Sequence, residues 1–105
     1  MIDTTFHLDP ETCKRLSDYL SHFSNPLRLR IICLLKDGPR NVTDLVAATG
    51  QHQSTVSGQL KYLLMTGILN QERRGVNVFY SVRDEQAVAM LWHLVQAFVP
   101  EAVGT

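Results

Sequence analysis

Residues 53–62 read Gln-Ser-Thr-Val-Ser-Gly-Gln-Leu-Lys-Tyr. Seven of these ten side chains, Gln53, Ser54, Thr55, Ser57, Gln59, Lys61 and Tyr62, make hydrogen bonds while carrying a single full charge between them. Exposed helices more often bear Glu and Lys, which favour the helix and solubility. A hydrogen-bonding face with little fixed charge suits the base edges and phosphates of a duplex major groove. The plain alternative is a polar face that only meets water. Shortly after it, Arg73, Arg74 and Asn77 surround Gly75. Such a basic turn reaches backbone phosphate or an adjacent minor groove, unless these are ordinary surface arginines.

Other reactive groups are few. Cys13 and Cys33 belong to no Cys-x-x-Cys motif. They read either as small buried hydrophobes or as a dithiol switch, which requires their Cα atoms to lie within ~7 Å. His7, His22, His52 and His93 are scattered without ligand spacing, and zinc needs about four donors. No metal and no cofactor is expected. There is no Ser/His/Asp grouping, paired-acid pocket or Gly-rich phosphate loop, so an enzyme is not expected either.

Hydrophobic spacing defines the elements that position these groups. Residues 1–8 show no periodicity and read as a frayed end. Asp9 reads as an N-cap with Pro10 at the first helical position. Cys13, Leu16, Tyr19, Leu20 and Phe23 then form one apolar stripe on a helix of about four turns. Ser24-Asn25-Pro26 stops that helix and starts a second. Its buried face is Leu27, Ile31, Leu34 and Leu35, widened by Ile32 and Cys33, which makes it central to a core. Asp37-Gly38-Pro39 breaks the chain. A short third helix opens at Asn41 or Val42, turns Val42, Leu45 and Val46 inward, and closes at Gly50. The polar helix follows, held by Val56, Leu60, Leu63 and Leu64 and ended by Gly67. The period then changes. Residues 68–73 and 78–82 read as strands of a hairpin about Gly75-Val76-Asn77. Asp84 caps a last helix, apolar along Ala87, Val88, Leu91, Leu94, Val95 and Phe98 and stopped by Pro100. The expected order is α-α-α-α-β-β-α, mainly α with a small β-hairpin.

The chain has 105 residues, 45% apolar and 19% charged, which describes one small domain. No run approaches the ~18 apolar residues of a membrane span, and no signal-peptide pattern follows Met1. A cytoplasmic protein without membrane association is expected. Ten Lys and Arg balance ten Asp and Glu, which at face value argues against a nucleic-acid partner. The balance is uneven, however: residues 1–25 sum to −2, residues 26–82 to +4 and residues 83–105 to −2. A positive centre between acidic ends is compatible with one basic face.

Three stretches carry a family resemblance. Ser24-Asn25-Pro26-Leu27-Arg28-Leu29-Arg30-Ile31-Ile32 resembles the second-helix signature of ArsR/SmtB-type winged helix-turn-helix repressors. Residues 54–63, Ser-Thr-Val-Ser-Gly-Gln-Leu-Lys-Tyr-Leu, are similar to the family's recognition helix. Gly67-Ile68-Leu69 through Gly75, with Phe79-Tyr80-Ser81, resembles its wing. The likeness spans about residues 10–98. One departure is Gly58-Gln59, where the family usually has another residue followed by His; Gly58 costs ~1 kcal/mol within a helix relative to Ala.

The resemblance implies a single winged helix-turn-helix domain over residues 1–105. The helix-turn-helix would lie at 42–66, the wing at 68–82 and a C-terminal dimerisation helix at 84–99. It implies a homodimeric repressor that binds an inverted-repeat operator in double-stranded DNA. The first and last helices would pair, with Leu16, Leu20, Leu91, Trp92, Val95 and Phe98 at the interface, although the aromatic residues also suit a protomer core. Metal sensors of the family carry Cys-x-Cys at the third helix or acid and His ligands along the last. This chain has Asn41-Val42-Thr43-Asp44 in the first place and Asp84, Gln86, Ala97 and Pro100 in the second, so only a non-standard metal site would serve. Cys33 matches the first cysteine of the family's redox and persulfide sensors, but the end of the last helix lacks the second. Cys13 would have to replace it, and any bond would be regulatory in a reducing compartment. No inducer is identified. The competing class is a winged-helix protein–protein adaptor, because fold alone does not decide function.

Overall fold

The computed structural model describes residues 6–103. Residues 1–5 of the expected frayed end lie outside the described residues.

Capping residues set the helix starts. Helix α1 (Pro10–Ser21) begins where the Asp9 carboxylate accepts from the Thr12 N–H at 2.7 Å, with Pro10 in the first turn. It ends two residues short of Phe23, where its stripe ended. Phe23 lies beyond its end and is buried in the core. Helix α2 (Pro26–Leu35) is capped by Asn25, whose Oδ1 accepts from the Leu27 and Arg28 N–H groups at 2.9 and 3.1 Å. Ile31, Ile32 and Leu35 are buried, so α2 is central as expected. Cys33 is not part of that face. It lies about 200° round the helix from Ile31 and is exposed, as is Cys13. The reading of both cysteines as buried hydrophobes therefore fails in the protomer.

A strand that sequence spacing did not reveal follows. Strand β1 (Arg40–Asn41) pairs antiparallel with β3 (Asn77–Val82), Arg40 opposite Tyr80 and Asn41 opposite Phe79. With β2 (Leu69–Arg74) the sheet has three strands in the order β1-β3-β2, rather than a bare hairpin. Asn41 also caps helix α3 (Val42–Thr49) through a capping box: its Oδ1 accepts from the Asp44 N–H at 2.8 Å, and Asp44 Oδ2 accepts from the Asn41 N–H at 3.3 Å. Gly50, at φ +69°, ends α3 in the left-handed conformation. Helix α4 (Gln53–Met65) leads into β2. Strands β2 and β3 pair from Leu69–Val82 to Arg74–Asn77. The turn between them is therefore only Gly75-Val76, and Asn77 belongs to the strand. Gly75 takes φ +63° and Val76 does not follow it to positive φ, the pattern of a turn with glycine at its first central position. Helix α5 (Glu85–Phe98) starts where Asp84 Oδ1 accepts from the Ala87 N–H at 3.1 Å. A short 3-10 turn, Pro100–Ala102, comes after it.

The core gathers α2, Leu45 of α3, Val56, Leu60 and Leu63 of α4, and Ile68 and Leu69 at the foot of the hairpin. Helix α1 contributes no buried residue and α5 only Ala87. The radius of gyration is 15.7 Å, against ~13 Å for a compact chain of this length. Both terminal helices thus extend beyond the core. Their link is a hydrogen bond in which the Tyr19 hydroxyl donates to Asp84 Oδ2 at 3.0 Å.

Candidate nucleic-acid interface

Val56, Leu60 and Leu63 fix α4 to the core, and that fixes which side chains it presents outward. Gln53, Ser54, Thr55, Ser57 and Lys61 are all exposed, together with Gly58. No side chain caps the start of α4, which leaves first-turn N–H groups facing outward beside Ser54 and Thr55. An uncapped helix start of this kind favours negative groups such as phosphate.

Gln59 and Tyr62 are placed differently. They lie on the flank of α4 that meets the α1–α2 junction, and both are half-buried. Arg28 Nε donates to Gln59 Oε1 at 2.8 Å. The same guanidinium lies over the Tyr62 ring, 3.9 Å from its centre, and its Nη1 donates to the Ser21 carbonyl at 3.2 Å. The Tyr62 hydroxyl shares a 2.8 Å hydrogen bond with His22 Nδ1. Of the seven polar residues singled out on this helix, Ser54, Ser57 and Lys61 share one outward stripe at i, i+3 and i+7, Gln53 and Thr55 are exposed on either side of it, and Gln59 and Tyr62 are held from the flank. Arg28 and His22 were not among the candidate residues. Nothing in the sequence marks that Arg28, 31 residues before Gln59, is its partner.

Arg73, Arg74 and Asn77 are all exposed at the end of the hairpin. Strand alternation divides them. Arg74 shares its face with Asn77, Glu72 and Phe79, whereas Arg73 lies on the opposite face with Val78. Arg74 Nε pairs with the Glu72 carboxylate, and its guanidinium lies 5.2 Å from the centre of the Phe79 ring. Arg73 makes no salt bridge among the described residues. The two arginines therefore flank the hairpin tip instead of forming one patch.

The dimer candidates show one pattern. Leu16, Leu20, Trp92 and Phe98 are exposed, Phe98 to 77% and Trp92 to 49%, while Leu91 and Val95 are half-buried. Both cysteines are free. The Cys13 thiol approaches the Leu8 carbonyl at 3.8 Å. Among the described residues, no three His, Cys, Asp or Glu side chains gather where they would hold a metal ion. No described helix is long and apolar enough to cross a membrane.

Comparison with known proteins agrees with this architecture. The model of the bacterial regulatory protein, arsR family, matches residues 25–71, from the cap of α2 into β2. The HTH-type transcriptional regulator NmtR of Mycobacterium tuberculosis is 36% identical over 84 residues, covering 80% of this chain and 70% of that protein. The solution structure of apo-NmtR superposes with a TM-score of 0.78 over 100% of this chain and 88% of its own, at 30% identity. The transcriptional repressor BigR of Xylella fastidiosa gives a TM-score of 0.76 at 28% identity, over 84% of this chain and 90% of its own. A homodimeric winged helix-turn-helix DNA-binding domain of Mycobacterium bovis gives 0.68 at 28% identity, over 95% and 94%. The five α-helices around a small winged sheet among the described residues, the signature from Asn25 onward and these likenesses lead to one conclusion: the chain belongs to the arsR family, as a helix-turn-helix transcriptional regulator and not an enzyme.

Proposed function

We propose that the chain is a homodimeric repressor that binds an inverted-repeat operator in double-stranded DNA. In this reading residues 1–105 act as one domain, with α3 and α4 in the helix-turn-helix (42–66), the hairpin as the wing (68–82) and the segment 84–99, which holds α5, in the dimer. The observation that carries the reading is the outer face of α4, where Ser54, Ser57 and Lys61 form one exposed stripe, flanked by the exposed Gln53 and Thr55, on a helix locked to the core. These groups match the donors and acceptors of a major groove. Arg73, Arg74 and Asn77 at the wing supply contacts that position the protein on the backbone.

Dimerisation follows from apolar surface. A protomer that leaves Leu16, Leu20, Trp92 and Phe98 exposed on two extended helices gains by covering them. The likeness to the homodimeric Mycobacterium bovis domain supports the same assembly. Two-fold symmetry would set two copies of α4 into successive major grooves, about 34 Å apart. The acidic terminal regions would then belong to the dimerisation side and the positive centre to the DNA side. The likeness to the repressor BigR supports repression as the outcome of binding. The cytoplasm, where operator DNA is accessible, is the compartment this reading requires. Cys13 and Cys33 are assigned a thiol response, supported by both being free and exposed on α1 and α2.

The test is titration of a duplex selected from a random pool, at several salt concentrations, with Lys61, Arg73 and Arg74 replaced by Ala. If each of the six side chains in a dimer neutralises one phosphate, the slope of log affinity against log salt falls in magnitude by about five. Unchanged affinity with an unchanged slope refutes the docking. For the thiol response, a persulfide donor should weaken operator binding by the parent protein and not by Cys33→Ser. A Cys33→Ser protein that still responds removes that assignment.

A further inference from the structure

Arg28 does more than tie α2 to α4. An arginine side chain offers only donors, so the Gln59 amide must turn its carbonyl toward Arg28, as the 2.8 Å contact from Nε to Oε1 shows. The guanidinium cannot easily drift from this position. It is seated on the Tyr62 ring at 3.9 Å and tied to the Ser21 carbonyl at 3.2 Å. Tyr62 is in turn fixed by His22 at 2.8 Å. With its carbonyl held on the α1–α2 flank, the half-buried Gln59 has its NH2 group left for an outside partner.

That orientation has a consequence for base recognition. A glutamine that reads adenine uses both ends of its amide, accepting from N6 and donating to N7. A glutamine limited to donation meets two acceptors, N7 and O6, on guanine but a competing donor beside N7 on adenine. We infer that Arg28 is a specificity-determining positioning residue, which holds Gln59 as a donor and so selects guanine over adenine at the base pair Gln59 meets. The inference rests on the proposal that α4 enters the major groove.

The experiment is selection of bound duplexes from a random pool by the full chain and by three variants, each checked for its melting transition. The parent protein should enrich guanine at one position per half-site. Gln59→Ala should abolish the preference at that position alone. Gln59→Glu keeps a partner for Arg28 but has no donor, and it should exchange guanine for cytosine, whose N4 is a donor. Arg28→Met frees the amide and should move the guanine-to-adenine ratio toward adenine by about tenfold. Adenine at the Gln59-dependent position of the parent, no position that depends on Gln59, or an Arg28→Met ratio within about twofold of the parent's overturns the inference. If Arg28→Met does not fold, Arg28→Gln, whose amide accepts as well as donates and so no longer forces the Gln59 carbonyl toward it, takes its place and should move the ratio the same way. A pool from which the parent enriches no sequence refutes the DNA reading itself, an outcome distinct from enrichment that does not depend on Gln59.

Discussion

Replacing Gly58 with Ala should raise stability and lower DNA affinity at once. Gly58 lies mid-helix on the exposed face of α4, without a positive φ, and a Cβ added there meets no atom within 4 Å. Nothing inside the protomer requires glycine at this position. A glycine in a helix interior costs about 1 kcal/mol relative to alanine, so the variant should gain about that much. For a domain of this size the melting temperature rises by about 4–8 °C. The proposed docking, however, turns the exposed face of α4 that carries Gly58 toward the base edges, where an added methyl group would hold the helix away. A loss of about 1 kcal/mol per half-site doubles to about 2 kcal/mol across a two-fold dimer, roughly a 30-fold weaker operator affinity. The assays are a thermal melt of the free protein and a titration of a selected duplex at fixed salt. Opposite changes in the two quantities separate this effect from general damage. A more stable variant with unchanged operator affinity would refute the placement of Gly58 against DNA.

Two further perturbations probe the terminal helices. Phe98→Ala removes ~100 Å² of apolar surface per protomer, worth up to ~2.5 kcal/mol on each side of the dimer by area. Association costs reduce that figure, so sedimentation should show a dimer weakened at least about tenfold with the protomer's helical content intact; an unweakened dimer would remove Phe98 from the interface. Burial first, then the hydrogen bond to Asp84 and its charge, raises the Tyr19 phenol above its ordinary 10.0. Because its folded-state value lies above the unfolded one, its contribution to stability is complete below pH 10 and is lost as pH rises through that raised value. Tyr19→Phe should flatten this alkaline loss in melts taken across that range, and identical alkaline profiles would show that the Tyr19–Asp84 link contributes nothing.

Regular apolar spacing made α3 and α4 legible: Leu45, with Val42 and Val46 packed beside it, turns to the core from one, and Val56, Leu60 and Leu63 at i, i+4 and i+7 from the other. Strand β1 was not legible, since two residues have no period and the strand exists only by pairing with Phe79 and Tyr80. The run Ile31-Ile32-Cys33-Leu34-Leu35 concealed its orientation for another reason: five apolar residues in succession do not mark which face turns inward, and Cys33 fell on the outer one. Residue type found the polar face of α4, but type could not separate the outward Ser54, Ser57 and Lys61 from Gln59 and Tyr62, which Arg28 and His22 hold from the flank. Adjacency placed Arg73 and Arg74 together at one basic turn, whereas the alternation of a strand sends them to opposite faces. The zero net charge changes meaning in the same way. Its surplus lies over α2 to β3 and its deficit at the two ends, so the total says little about which face meets a polyanion.

Hydroxyl-radical footprinting of the parent protein on a selected duplex, at physiological salt, tests the central claim most directly. The account predicts two protected segments related by two-fold symmetry, about one helical turn apart, centred on an inverted repeat. Continuous or absent protection, or a single unpaired segment, would contradict it.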